Sequence, residues 1–263
     1  MTQMYRLVKI IFLLALISLG LSFYFIKQPP PKNDFLSDLQ QSPLQAPTDK
    51  QEFSIEKNGI TYNLKPMYDY EFYGTIVSFY NTSTWLDDFY KRAGDFINIK
   101  DICVIWGDNI NSEVYKSLKF SNGTYKCFIE GRSEDASKFK NNSLSNNHLL
   151  SDNEEINKKI ISAGKWDQIY LKGYLVSYSK KGESFVRTSS ITRDDVEDGA
   201  CEVIYVTDFK ILKKSNTFWQ EIFTLSKYSS ITSFILMVIL FWGIISKENA
   251  EFQKFENNRP KDF

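Results

Sequence analysis

Histidine occurs once in the 263 residues, at His148, and cysteine three times, at Cys103, Cys127 and Cys201. Any histidine-dependent chemistry must therefore use that one imidazole. No Cys-x-x-Cys spacing occurs, which removes the zinc and haem readings, so no metal or cofactor is expected. Net charge is lacking too: 32 Lys and Arg balance 32 Asp and Glu. Without a basic field there is no argument for nucleic acid, and without an acidic tail none for a cationic partner. The chain also has no phosphate-binding loop, dinucleotide fingerprint or Gly-x-Ser-x-Gly elbow. The acidic run around Asp194, Asp195, Glu197 and Asp198 lacks EF-hand spacing and reads as a solvated turn.

Long apolar runs, by contrast, are present at both ends. Residues 10–26 carry no charge and reach the lower limit for a bilayer-spanning helix, and residues 228–246 form a second uncharged run of spanning length. The first run continues through Phe23, Tyr24, Phe25 and Ile26 with no polar start after its small residues, which favours a retained anchor over a cleaved signal peptide. Arg6 and Lys9 ahead of it favour a cytoplasmic N-terminus at residues 1–9. Two spans then put the middle of the chain outside and the tail, 247–263, inside. Residues 27–50, with Pro29, Pro30, Pro31, Pro43 and Pro47, read as an extended tether. Residues 215–227 read as an interfacial segment anchored by Trp219.

Between these flanks, residues 53–214 are expected to form one α+β domain, mainly antiparallel strands with short helices, for which a small barrel of the OB type is the suggested arrangement. Alternation marks strands through Tyr68–Phe79, Ile169–Tyr178 and Cys201–Ile211, and a run that is apolar apart from Lys100 and Asp101 marks a buried strand through Ile99–Trp106. Asn122-Gly123 signals a hairpin, and residues 132–146 a mobile loop. Ser83 or Thr84 is placed to cap one short helix, with Asp87 and Asp88 in its first turn, and Asn111 another carrying Val114, Tyr115 and Leu118. Ser151 to Glu154 forms a capping box for a helix that carries Ile156, Ile160 and Ile161 and stops at Gly164. In an oxidising compartment Cys103 and Cys127 can form a disulfide that leaves Cys201 free; three buried thiols fit the same pattern.

Catalytic candidates are His148 and Cys201, with Arg193 and Asp194 as supporting groups. A Cys–His pair needs the imidazole to lower the thiol pKa and a cation or backbone donors to hold an oxyanion. Sortases share this ingredient list, with the histidine ahead of the cysteine. Here Cys201 begins a strand rather than ending one and no arginine follows it in the domain, so a Cys–His hydrolase or transpeptidase is the second reading. The first is a non-enzymatic interaction or assembly module that meets the membrane and other envelope proteins.

Five blocks taken together carry a family resemblance: Asp101-Ile-Cys-Val-Ile-Trp-Gly107, Asn146-Asn-His-Leu149, Ile169-Tyr-Leu-Lys-Gly-Tyr-Leu-Val176, Thr188-Ser-Ser-Ile-Thr-Arg-Asp194 and Gly199-Ala-Cys-Glu-Val-Ile-Tyr-Val206. With them the chain resembles a family of uncharacterised bacterial membrane-associated envelope proteins. The resemblance implies a periplasmic or comparable extracytoplasmic setting at the bacterial cytoplasmic membrane and no particular activity. In that setting the sequons at Asn81, Asn122 and Asn141 are incidental.

Overall fold

A computed structural model describes residues 2–82, 89–123, 125–192 and 201–258. The chain divides into two compact units, one made from the residues up to Gln28 together with those from Asn216 onward, the other from Pro29–Ser215.

The first unit is a pair of long apolar helices, α1 (Thr2–Ile26) and, at the other end of the chain, a helix Thr217–Asn257. Both are long and apolar enough to cross a membrane. Their ring contacts run in opposite order along the two sequences: Phe25 stacks on Trp219 at 4.4 Å, followed by Phe23 with Phe223, Phe12 with Phe234 and Tyr5 with Phe241. The helices are therefore antiparallel. Small side chains, Ala15 and Ser22 on one and Ser226, Ser230 and Ser233 on the other, are buried and permit close approach. The Asn216 amide donates to the Ile26 and Gln28 carbonyls, each at 3.0 Å, and satisfies acceptors that the end of α1 leaves open.

The second helix, at 1.5 Å per residue, is about 60 Å long, twice a hydrocarbon core. It runs without a break through the stretches read separately as interfacial segment, span and tail. The tail continues it because residues 247–257 are mostly helix formers, with Lys247 and Glu251 paired at 3.7 Å one turn apart.

The second unit is α+β with a mainly antiparallel mixed sheet. In chain order its elements are β1 (Leu44–Pro47), β2 (Phe53–Lys57), β3 (Ile60–Asn81), α2 (Phe89–Arg92), β4 (Asn98–Ile105), α3 (Asp108–Asn111), β5 (Lys119–Gly123), β6 (Lys126–Glu130), α4 (Ser133–Ala136), β7 (Leu144–Leu150), α5 (Glu154–Ser162), β8 (Gln168–Lys180), β9 (Val186–Thr188) and β10 (Cys201–Lys213). The helix Thr217–Asn257 completes the series as α6. Strand β3 pairs with β4, β4 with β7, β7 with β10, β10 with β8, and β8 again with β3, so the pairings close into a ring. Only the β7–β10 contact in this ring is parallel. The 22-residue β3 serves both ends of the ring because its register shifts at Pro66/Tyr68 and at Ile76/Ser78, where extra residues bend it. Gly173 is required where β8 meets β10: a Cβ there would lie 2.2 Å from the Tyr205 carbonyl oxygen.

Inside the ring, Phe72, Ile76, Ile102, Val104, Leu149, Leu171, Ile204 and Val206 form one fully buried apolar cluster. Strands β1 and β2 pair with β3 outside the ring, β9 pairs with β8, and β5 and β6 form a separate hairpin. The Cys103–Cys127 disulfide ties that hairpin to β4 and resolves the open cysteine question in favour of one bridge.

Several local expectations change. The stretch 27–50 is not a free tether: Leu39 is fully buried, its carbonyl accepts from Gly107 N at 2.8 Å, and Leu44–Pro47 is a strand. Phe35, Leu36 and Leu39 hold apolar contacts that a count of prolines conceals. The loop 132–146 is likewise tied down, with the buried Asn109 side chain bonded to both the carbonyl and the amide of Lys140 and with β7 beginning at Leu144. Asn122 and Gly123 pair with Cys127 and Lys126, so the hairpin turn follows them instead of containing them. Asn153, not Ser151, caps α5: its Oδ1 accepts from Glu155 N and Ile156 N. The cap read at Ser83 or Thr84 lies outside the described residues, as do Asp87 and Asp88.

Candidate functional site

Alternation along β4, β7 and β10 sends Ile102, Val104, Leu149 and Ile204 into the ring and turns Asp101, Cys103, Asn146, His148, Cys201 and Val203 to the outer face. Register then decides who meets whom. His148 lies between Asp101 and Val203, and Asn146 between Cys103 and Cys201.

Asp101 and His148 are fully buried, with His148 Nδ1 2.6 Å from Asp101 Oδ1. Asn98 Nδ2 donates to the same oxygen at 3.0 Å, and the Tyr90 hydroxyl donates to the other. Burial works to raise the Asp101 pKa, but His148, Tyr90 and Asn98 all favour the carboxylate and hold it below its ordinary range. Burial beside Asp101 pushes the Tyr90 phenol far upward, so it stays protonated as a donor.

Loops roof this face. The Tyr125 ring, from the β5–β6 turn, meets the His148 ring edge-on at 5.5 Å, and the Arg187 guanidinium from β9 lies 3.8 Å from the centre of Tyr125. On the connection between α2 and β4, Asp95 Oδ2 accepts from the Tyr178 hydroxyl at 2.8 Å; burial raises the Asp95 pKa above the usual carboxylate range. Among the described residues, Asp95 Oδ1, Asn146 Oδ1 and His148 Nε2 are buried with no hydrogen-bond partner. Beside these groups lies a cavity of about 970 Å³ whose walls include Tyr62, Asp95, Tyr125, Tyr178, Arg187 and Cys201.

The two principal sequence candidates do come to one face, two residues apart along adjacent strands. They do not form a couple. Cys201 Sγ is 3.2 Å from Asn146 Nδ2 and 3.4 Å from the Tyr125 carbonyl oxygen, burial raises its pKa, and His148 Nδ1 is engaged by Asp101. A thiol in this position is held protonated rather than activated. Arg193 and Asp194 lie outside the described residues. Also among the described residues, no three His, Cys, Asp or Glu side chains gather in a metal-binding group.

Sequence reasoning missed Asp101, Tyr90, Asp95, Tyr125 and Arg187. One signal was present: Lys100-Asp101 interrupts the apolar run from Ile99 to Ile105, and all eight residues of the strand prove buried. The two charges part company. Asp101 goes to the outer face, while Lys100 Nζ donates to the Ala163 carbonyl at 2.5 Å, to Ile161 at 3.3 Å and to Ile160 at 3.4 Å, at the end of α5.

No protein-family model matches the chain, and neither a curated protein nor a solved structure does.

Proposed function

We propose that this chain is a two-span protein of the bacterial cytoplasmic membrane whose central domain works outside the membrane as a binding module, not as an enzyme. The observation that carries the reading is the large cavity beside the outer face of β7 and β10, walled also by β8, β9 and the β5–β6 hairpin, next to unpaired polar atoms and without an activated nucleophile. Such cavities with a few convergent polar groups are the usual form of a ligand site.

Further support comes from the ring. Its strands in chain order are β3, β4, β7, β8 and β10, with α5 between the third and fourth and a parallel contact between the third and fifth. We read this as a small barrel of the OB type, which binds ligands over its second and third strands and the loops joining strands one to two and four to five. The cavity wall draws Asp95 from the first of those connections and Phe185, Val186 and Arg187 from the second. An oxidising location agrees with the Cys103–Cys127 disulfide and with Arg6 and Lys9 in the first turns of α1, ahead of its uncharged run.

Two measurements test this. In spheroplasts, a membrane-impermeant maleimide is expected to label a Gln51→Cys variant above the parent protein; protection until lysis would overturn the extracytoplasmic side. An electrophilic thiol probe is expected to label Cys201 slowly and without dependence on His148. Fast labelling that is lost in His148→Ala would replace the module with a Cys–His hydrolase or transpeptidase.

A further inference from the structure

We propose that the cavity beside the outer face of β7 and β10 takes a neutral saccharide; this rests on the binding-module reading and gives its ligand a chemical class. Charge balance comes first. Lys126, Lys180 and Arg187 stand in the wall with Asp95 and Glu183, and Glu202 lies behind it with its side chain on the ring side, so the formal charges come within one of cancelling. Lys180 is already paired with Glu183 at 2.8 Å, and Glu202 is held by the Ser145 hydroxyl at 2.6 Å. No net field selects a phosphate, a nucleic-acid backbone or an organic cation.

The unpaired atoms come next. Asp95 and Asn146 both line the cavity, both are at least nine-tenths buried, and Asp95 Oδ1 and Asn146 Oδ1 are both acceptors without a donor among the described residues. Water does not reach them, and a buried acceptor left unpaired costs about 1–3 kcal/mol. A ligand rich in hydroxyl donors removes that cost where a wall side chain turns aside to admit it, and side-chain rotamer changes are common on binding. Arg187 and Lys126 supply the donors for the acceptor half of each ligand hydroxyl.

The third requirement is apolar. Phe185 is 70% exposed and Phe128 is 46% exposed, and both belong to the wall. Large exposed rings at the mouth of a polar cavity suit a ligand with both hydroxyl groups and an apolar C–H face, which a pyranose ring has. A peptide segment would instead look for a row of main-chain partners. The groups left open in this wall are side-chain acceptors.

The experiment uses the full chain in lipid nanodiscs, which avoids sugar-headed detergents, with maltotriose, tri-N-acetylchitotriose and the tripeptide Ala-Asn-Ala as probes in saturation-transfer NMR. Saturable binding of at least one trisaccharide is expected. It should weaken at least tenfold in Phe185→Ala and in Asp95→Leu, and stay unchanged in Phe252→Ala on α6. Phe185 is exposed, so its variant keeps the test valid even if Asp95→Leu fails to fold. No saccharide binding, binding indifferent to Phe185→Ala, or binding of the tripeptide alone would each overturn the proposal. In all three cases the membrane side and the inert thiol remain decided by the labelling experiments above, so the two readings fail separately.

Discussion

The two faces of β4, β7 and β10 are built from the same three strands and solve different problems. Inward, Ile102, Val104, Leu149, Ile204 and Val206 need only volume and apolarity. Outward, Asp101, His148, Asn146 and Cys201 are mostly buried as well, yet each depends on a named partner at a fixed distance. Interior residues of the first kind exchange with others of similar size at small cost. A buried polar network loses several bonds when one member goes. The contrast is between these two sets of residues; the inner side also holds one polar group, where the Ser145 hydroxyl lies within hydrogen-bond distance of Asn147 and Glu202.

Removing Asp101 gives the largest effect that bears on this contrast. Asp101→Leu removes the carboxylate and leaves His148, Tyr90 and Asn98 without their acceptor, and breaking a buried pair this way costs about 3–5 kcal/mol. Leu149→Met, on the inner face of the neighbouring strand, is expected to cost under about 1.5 kcal/mol. Urea unfolding of the full chain compares the two; equal midpoints would break the distinction between the faces. Acid sharpens it. Because the folded-state pKa of Asp101 lies below its unfolded value, the stability it contributes is complete above the unfolded value, about 4, and disappears as pH falls through the folded one. The Asp101→Asn variant should lack that part of the acid dependence.

Reduction of the disulfide comes next. Cys103 and Cys127 enclose a 24-residue separation, for which the chain-entropy estimate is about 3.5 kcal/mol. The bond is the covalent tie between the β5–β6 hairpin and the sheet, and Tyr125 rides at that hairpin's turn over His148. Cys127→Ser is thus expected to lower the unfolding midpoint and to quicken maleimide labelling of Cys201, since the Tyr125 carbonyl no longer stays over the thiol. A lowered midpoint with unchanged labelling would detach the roof from the disulfide.

How much of this was legible beforehand follows the same contrast. The inner face was readable, because alternation in β8 and β10 and the apolar periodicity of α5 are local signals that the ring uses as they stand. The α+β class, the mainly antiparallel sheet and two apolar helices of spanning length followed from such signals. The outer face was not readable. His148 and Cys201 were chosen because those residue types are scarce, whereas the partner that matters, Asp101, is 47 residues from His148 and reaches it only through β4–β7 register. Arg187 and Tyr125 meet through a strand and a turn whose positions no local pattern announces. The segment 27–50 failed for a related reason: its few apolar side chains gain their value only against Val77, Cys103 and Tyr115 far along the chain.

A smaller effect is expected at the helix that joins the third and fourth ring strands. Asn153→Ala removes a cap that accepts two backbone donors and should cost about 1 kcal/mol, read as a modest fall in urea midpoint with binding at the outer face unchanged. A larger loss would mean that α5 does more for the ring than close one end.

Lys100 tests whether polarity within β4 always serves the outer face, and at neutral pH its replacement should matter least. Burial pulls its pKa down to about 8, against an ordinary value near 10.5, because a charged ammonium is poorly solvated there despite the carbonyls at the end of α5. With a lowered folded-state pKa, the unfolded chain binds more protons between those two values, so stability on this account rises as pH climbs from about 8 to about 10.5. Lys100→Met loses three carbonyl contacts and also sheds the burdened charge, two terms that offset each other at pH 7 to within about 1 kcal/mol. Its stability profile should be flatter than the parent's across pH 8 to 10.5. A variant that keeps the parent's rise would assign the alkaline titration to another group, and one that loses several kcal/mol at pH 7 would place Lys100 with Asp101 among the residues that depend on a named partner.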